Sequence, residues 1–172
     1  MTRRSATPTP QTATAHVARY GSAIFDDQAH DPYRQARKYS EPTRCDGCGA
    51  VFQGGRWQWG DAPAGAHAAT CPACRRIHDK LPAGVLVLDG PYVATHGDEL
   101  IAIARNMAER ERPEHALNRI MQIDAHGGRI EITTTDIHLP QRIGEALKSA
   151  HHGELDVKYA KDEYNVRLHW RR

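Results

Sequence analysis

Aromatic and large apolar residues are scarce in this chain of 172 residues: aromatics make up 6%, only two residues are Phe, and the mean hydropathy is −0.66. Such a composition supports a modest core, so a bound metal is a natural source of stability that apolar burial does not supply. No stretch approaches the roughly 20 apolar residues of a membrane span, and residues 1–10 lack the apolar centre of a secretory signal. A cytoplasmic location with no membrane partner is expected. The net charge of +2 is too small to announce a nucleic-acid partner, so the placement of the charges has to decide.

Catalytic patterns are missing as well. There is no Gly-x-Ser-x-Gly elbow, no phosphate loop ending in Gly-Lys-Ser/Thr and no His-Glu-x-x-His helix, so neither catalytic residues nor a small-molecule substrate are expected. His151 and His152 are adjacent and do not share a helix face. An exposed helix end, where a charged His complements the helix dipole, is the expectation for them. A deep pocket lined by His126, His138 and acidic side chains would speak for an enzyme.

What the chain does have is two Cys-x-x-Cys pairs, Cys45/Cys48 and Cys71/Cys74, with twenty-two residues between them. Each pair forms a tight turn that aims two thiolates inward, and two such turns complete the tetrahedral shell that zinc prefers. Gly47 and Gly49 suit the first turn and Pro72 the second. Redox dithiols usually occur as one pair in a βαβ setting, which is missing here. Four thiolates leave no open position for water, so a single structural Zn2+ is expected; His67 and His78 are not needed as ligands.

The length suits one compact domain with appendages. Residues 1–44 are rich in Thr, Ala, Pro, Arg and Gln and read as a flexible basic tail. Its later part interleaves Tyr33 and Tyr39 with Arg34, Arg37 and Lys38, which suits either a solvated linker or a segment lying along a phosphate backbone. Residues 45–82 form the zinc ribbon, and residues 83–172 a regular α/β region.

In that region Val85-Leu-Val-Leu88 reads as a buried strand. Thr95 with Asp98 three residues on marks a helix start. Leu100, Ile101, Ala104, Met107 and Ala108 form its apolar face, and Pro113 closes it. Residues 120–124 and 129–135 flank Gly127-Gly128 as a hairpin. A second helix begins near Leu139-Pro140, capped by Asp136 or His138, with Leu139, Ile143, Ala146, Leu147 and Ala150 on one face. Gly153 stops it, and Leu155, Val157, Tyr159 and Tyr164, Val166, Leu168, Trp170 alternate as two strands around Lys161-Asp162. The predicted fold is α+β: a four-cysteine zinc ribbon followed by a two-layer α/β sandwich of order β-α-β-β-α-β-β.

Basic and aromatic residues gather near the cysteines. Arg44 precedes the first pair, Arg56, Trp57 and Trp59 lie between the pairs, and Arg75, Arg76 and Lys80 follow the second. The arginines suit phosphate. The tryptophans either stack on bases or pack a ribbon that has little other core.

The ribbon, the helix before Pro113, the run Ile132-Thr-Thr-Thr-Asp-Ile-His-Leu139, Arg142-Ile-Gly-Glu-Ala-Leu147, Gly153-Glu-Leu155 and Val166-Arg-Leu-His-Trp170 together resemble a family of small bacterial zinc-ribbon proteins of uncharacterised function. That family is distantly similar to the amino-terminal part of the large-ribosomal-subunit export adaptor. The likeness spans roughly residues 33–170. It implies binding to the ribosome or ribosomal RNA, in subunit maturation, translation control or a dormant state. It does not imply export, because the adaptor's further cysteine pairs and transport tail have no counterpart. Only Cys45, Cys48, Cys71 and Cys74 match a defined role in it. An adaptor that recruits a protein partner in transcription or signalling is the other expectation.

Overall fold

The computed structural model describes residues 30–33, 39–161 and 163–172. Two sheets and three helices make up a mixed α+β fold. The first sheet contains β1 (Thr43–Cys45), β2 (Val51–Gln53), β3 (Arg56–Gln58) and β4 (His67–Ala69), in the order β3-β2-β1-β4. β1 runs antiparallel to β2 and parallel to β4. Thr43 and Arg44, expected to end a flexible tail, are therefore paired strand residues. Tyr39 also packs inward, with its ring centroid 5.3 Å from Phe52 and 5.0 Å from Trp57.

Helix α1 (Pro72–Asp79) follows, an element too short to show an apolar period in the sequence. The Cys71 sulfur caps it by accepting the Cys74 N–H, Pro72 occupies the first turn, and Lys80 ends it in the left-handed region at φ 55°.

The second sheet contains β5 (Gly84–Asp89), β6 (Ile120–His126), β7 (Arg129–Thr134), β8 (Glu154–Tyr159) and β9 (Val166–Arg171), in the order β6-β7-β5-β9-β8. Only β5 and β9 run parallel; the other neighbours are antiparallel. Gly127 and Gly128, at φ 59° and 79°, make the tight turn between β6 and β7. Leu86 and Leu88, Ile130 and Ile132, and Val166, Leu168 and Trp170 line one buried face of this sheet. Helices α2 (Pro91–Glu111) and α3 (Leu139–His151) cover that face with Val93, Leu100 and Ala104 and with Leu139, Ile143 and Leu147. The opposite face carries half-buried and charged residues, the alternation expected of a sheet covered on one side.

Two expectations need correction. α2 starts at Pro91, not at Thr95, because Pro91 occupies the first turn after Gly90. The Thr95 hydroxyl donates back to the Tyr92 carbonyl at 3.1 Å, and the helix kinks at His96 (φ −122°, ψ 16°). His151 is also not an exposed helix end. It is buried, with Nδ1 2.9 Å from the Tyr92 hydroxyl, while the His152 carbonyl accepts the Trp170 indole N–H at 2.9 Å. Asp136 provides the cap of α3, accepting the N–H groups of His138 and Leu139 at 2.8 Å each. Among the described residues no helix is long and apolar enough to cross a membrane.

Candidate metal centre

Cys45 ends β1 and Cys48 lies in the turn after it, while Cys71 and Cys74 sit at the N-cap and in the first turn of α1. The Gly49 N–H donates to the Cys45 carbonyl at 2.9 Å and closes the first turn. At Gly47 a β-carbon would lie 3.0 Å from the Cys74 sulfur, so this position is kept clear for the second pair.

The four sulfurs lie within 4.8 Å of one another, and no other such group of His, Cys, Asp or Glu occurs among the described residues. With metal–sulfur bonds of about 2.3 Å, the edges of a tetrahedral four-thiolate shell measure about 3.8 Å. The Cys48 and Cys71 sulfurs stand 3.8 Å apart. That is nearly twice the roughly 2.05 Å of a disulfide. The arrangement therefore fits a metal ion bound by all four cysteines.

The surrounding donors suit thiolates. The Cys71 N–H points at the Cys45 sulfur at 3.3 Å and the Cys74 N–H at the Cys71 sulfur at 3.4 Å. Burial by itself would raise the Cys45 pKa, but N–H groups of Cys71, Cys48 and Gly47 outweigh it and bring the thiol down to about 7. Cys71 is pushed up instead, by burial first and then by the negative charge of its three neighbours. Four thiolates this close repel one another until a cation lies between them.

Arg119, in the connection that leads into β6, is the residue that sequence reasoning missed. It donates to the Cys48 sulfur at 3.0 Å, to the Cys74 sulfur at 3.5 Å and reaches the Cys71 sulfur at 3.9 Å. Burial opposes its charge, but these sulfurs more than reverse that and raise its pKa. Its guanidinium also lies 5.2 Å from the centre of the Trp59 ring, whose N–H donates to the Arg112 carbonyl at 2.7 Å. Arg119 and Trp59 together join the cysteine module to the second sheet. No spacing pattern marks Arg119, because the contact spans 45 residues from Cys74 and 71 from Cys48.

The expected nucleic-acid contacts divide sharply. Arg44, Arg56, Arg75 and Lys80 are exposed. Through the register Arg44↔Val51↔Gln58 and Gln53↔Arg56, Arg44 and Arg56 share one face of the first sheet. Arg76 is corrected to a structural residue: it is 4% exposed, paired with Asp31 at 2.5 Å, and stacked 4.4 Å over the Tyr33 ring. Tyr33 is likewise buried and donates its hydroxyl to Asp79 at 2.8 Å. Trp57 packs in the core of the module against Phe52 and Tyr39, so the packing alternative holds for it. Trp59 is half-buried in the joint. Arg34, Arg37 and Lys38 lie outside the described residues.

His67 and His78 are exposed and stand apart from the sulfurs, and His126 pairs with Asp124 on the surface. His138 lines an open groove of about 590 Å³ with Glu111, Glu145, Arg110 and Arg142, and His126 is not part of it. Comparisons with protein-family models, with curated proteins and with solved structures find nothing that matches this chain.

Proposed function

We propose that this chain is a non-enzymatic, cytoplasmic, ribosome-associated factor that grips ribosomal RNA, acting in subunit maturation, translation control or ribosome dormancy. In this reading the cysteine module is a zinc ribbon holding one structural Zn2+, and the second region is a two-layer α/β sandwich. The carrying observation is the pair of exposed arginines, Arg44 and Arg56, on one face of the metal-stapled sheet, with Arg75 exposed on α1. None of the three has an ion pair among the described residues. Exposed guanidinium groups without an ion pair, carried on a sheet and a helix, suit phosphate oxygens. With Trp57 and Tyr33 committed to packing, the grip is mainly electrostatic and reads backbone shape more than bases.

The test is co-sedimentation with ribosomal particles across a salt series. Binding should be strongest at low salt, and replacing Arg44, Arg56 and Arg75 together by Gln should flatten the salt dependence by roughly 0.7–0.9 in log–log slope per lost contact. Metal content should stay unchanged. Protein that sediments free of particles at low salt would remove this reading. A protein-interaction adaptor is favoured by one observation, the exposure of Ile77 and Leu81 at and beyond the end of α1. Nuclease-resistant capture of a single protein that Ile77→Lys abolishes would point to it.

A further inference from the structure

The two edges of the second sheet are not alike. β6 is interrupted by a register shift between Ile120 and Gln122, an irregularity that discourages pairing with another chain. β8 is paired with β9 over six residues with no register shift. It also bears two of the large apolar side chains that the fold leaves exposed, Val157 at 38% and Tyr159 at 60%.

The hydrogen bonds fix which of its backbone groups face outward. The Ala160 N–H donates to the Asn165 carbonyl at 3.0 Å, whereas the Val166 N–H, opposite Tyr159, turns away to the Ala83 carbonyl at 2.9 Å. By the alternation of an antiparallel ladder, residues 154, 156 and 158 bond to β9, and Leu155, Val157 and Tyr159 direct their N–H and C=O groups to the outer edge, where no strand among the described residues pairs with them.

We propose that β8 is a homodimerisation edge, pairing antiparallel with β8 of a second copy about a two-fold axis at Val157. In this register Val157 faces Val157 of the second copy and Leu155 faces Tyr159, all as hydrogen-bonded pairs. These side chains lie on the helix-covered face, where α3 already packs on Leu155 at Gly144. On the opposite face Asp156 of each copy meets Lys158 of the other. Apolar matches apolar on one side, and opposite charges meet on the other. Shifting the register by two residues loses this: one direction sets Asp156 against Asp156, the other Lys158 against Lys158. The two-fold makes one continuous ten-stranded sheet and consumes the edge, so growth stops at the dimer. A six-residue strand buries less than a standard interface, so the association is reversible, with a dissociation constant on the order of micromolar or weaker.

Sedimentation equilibrium of the full chain, metal-loaded and nuclease-treated, tests this. The wild type should show a concentration-dependent monomer–dimer mass. Asp156→Lys and Lys158→Asp should each weaken the dimer by about tenfold or more, because each creates two like-charge encounters. The double reversal Asp156→Lys/Lys158→Asp should restore it. Both side chains are solvated, at 55% and 78% exposure, so the fold tolerates these changes. A wild type that stays monomeric at subunit concentrations on the order of 1 mM, a dimer indifferent to the single reversals, a double reversal that fails to restore association, or assemblies larger than two would each overturn the proposal. Exchange-protected β8 amides in a monomer would assign the edge to another segment of the same chain, which also overturns it.

Discussion

The two sheets of this molecule solve the same problem with different means. In the second region, five strands of six or seven residues and two helices enclose fifteen buried apolar residues, enough to hold the elements together by burial alone. In the first, every strand is three residues long and the buried cluster has seven residues, two of which are the cysteines Cys45 and Cys71. Strands that short do not hold as a sheet without another anchor. The further anchor in the first region is the cluster of four sulfurs, whereas the second is held by side-chain packing.

The strongest way to break this comparison is to remove the metal. In zinc-finger peptides, binding of structural Zn2+ is linked to folding with apparent free energies of about 10–16 kcal/mol at pH 7. A strong chelator, or Cys71→Ser, should therefore unfold the first sheet and leave the second standing. The three tryptophans report separately. Trp57 and Trp59 belong to the module and its joint, so their emission should shift to that of exposed indole, while Trp170, fully buried in the second core, should keep its signal until the thermal transition of that region. Simultaneous loss of both regions on chelation would show that packing and metal are not separable in this fold.

The same division explains how far the sequence can be read. The order of elements in the second region was legible from a continuous apolar run at β5, period-two alternation at β7, β8 and β9 and helical patterns at α2 and α3, while β6 does not alternate and is marked instead by the Gly127-Gly128 turn that follows it. The clustering of Cys45, Cys48, Cys71 and Cys74 was legible because each pair depends on a local turn. The strands of the first sheet were not, since three residues show no alternation. Arg75 and Arg76 look equivalent as neighbours in the sequence, yet α1 turns one to solvent and the other into the pair with Asp31. Thr95 and Asp98 imitate a helix start, but Gly90-Pro91 provides the real one and the imitation falls on the kink at His96. Arg119 could not be foreseen at all, because its role exists only once β6 delivers it to the sulfurs.

Arg119 is where the two regions meet, and its replacement gives an intermediate effect. Arg119→Met keeps much of the stem that packs near Trp59 but removes the donors to Cys48 and Cys74. Groups that hydrogen-bond to metal ligands contribute about 10–100-fold in metal affinity. Competition with a chelator of known affinity should show a loss of that size, and the thermal transition of the second region should stay in place. Unchanged metal affinity would mean that the guanidinium follows the sulfurs without supporting them.

The smallest effect comes from Asp136, and its sign sharpens the contrast. In the metal module, negative charge is what the site is built to hold. At Asp136 it is a burden: the side chain is buried, one oxygen caps α3, and the other has no hydrogen-bond partner. Burial is the largest influence on this carboxyl and raises its pKa above the usual value, against the two N–H groups that favour the anion. An acid whose native pKa is raised stabilises the fold below its unfolded value near 4, and loses that contribution as pH climbs through the native one. Asp136→Asn keeps an acceptor for the cap and removes the charge. Its stability relative to wild type should therefore increase from about pH 4 upward and then level off. Asp136→Ala abandons the cap and should cost about 1 kcal/mol. Denaturant unfolding of the second region across this pH range measures both. A flat difference between Asn variant and wild type would show that the carboxylate is solvated well enough to remain charged at no cost.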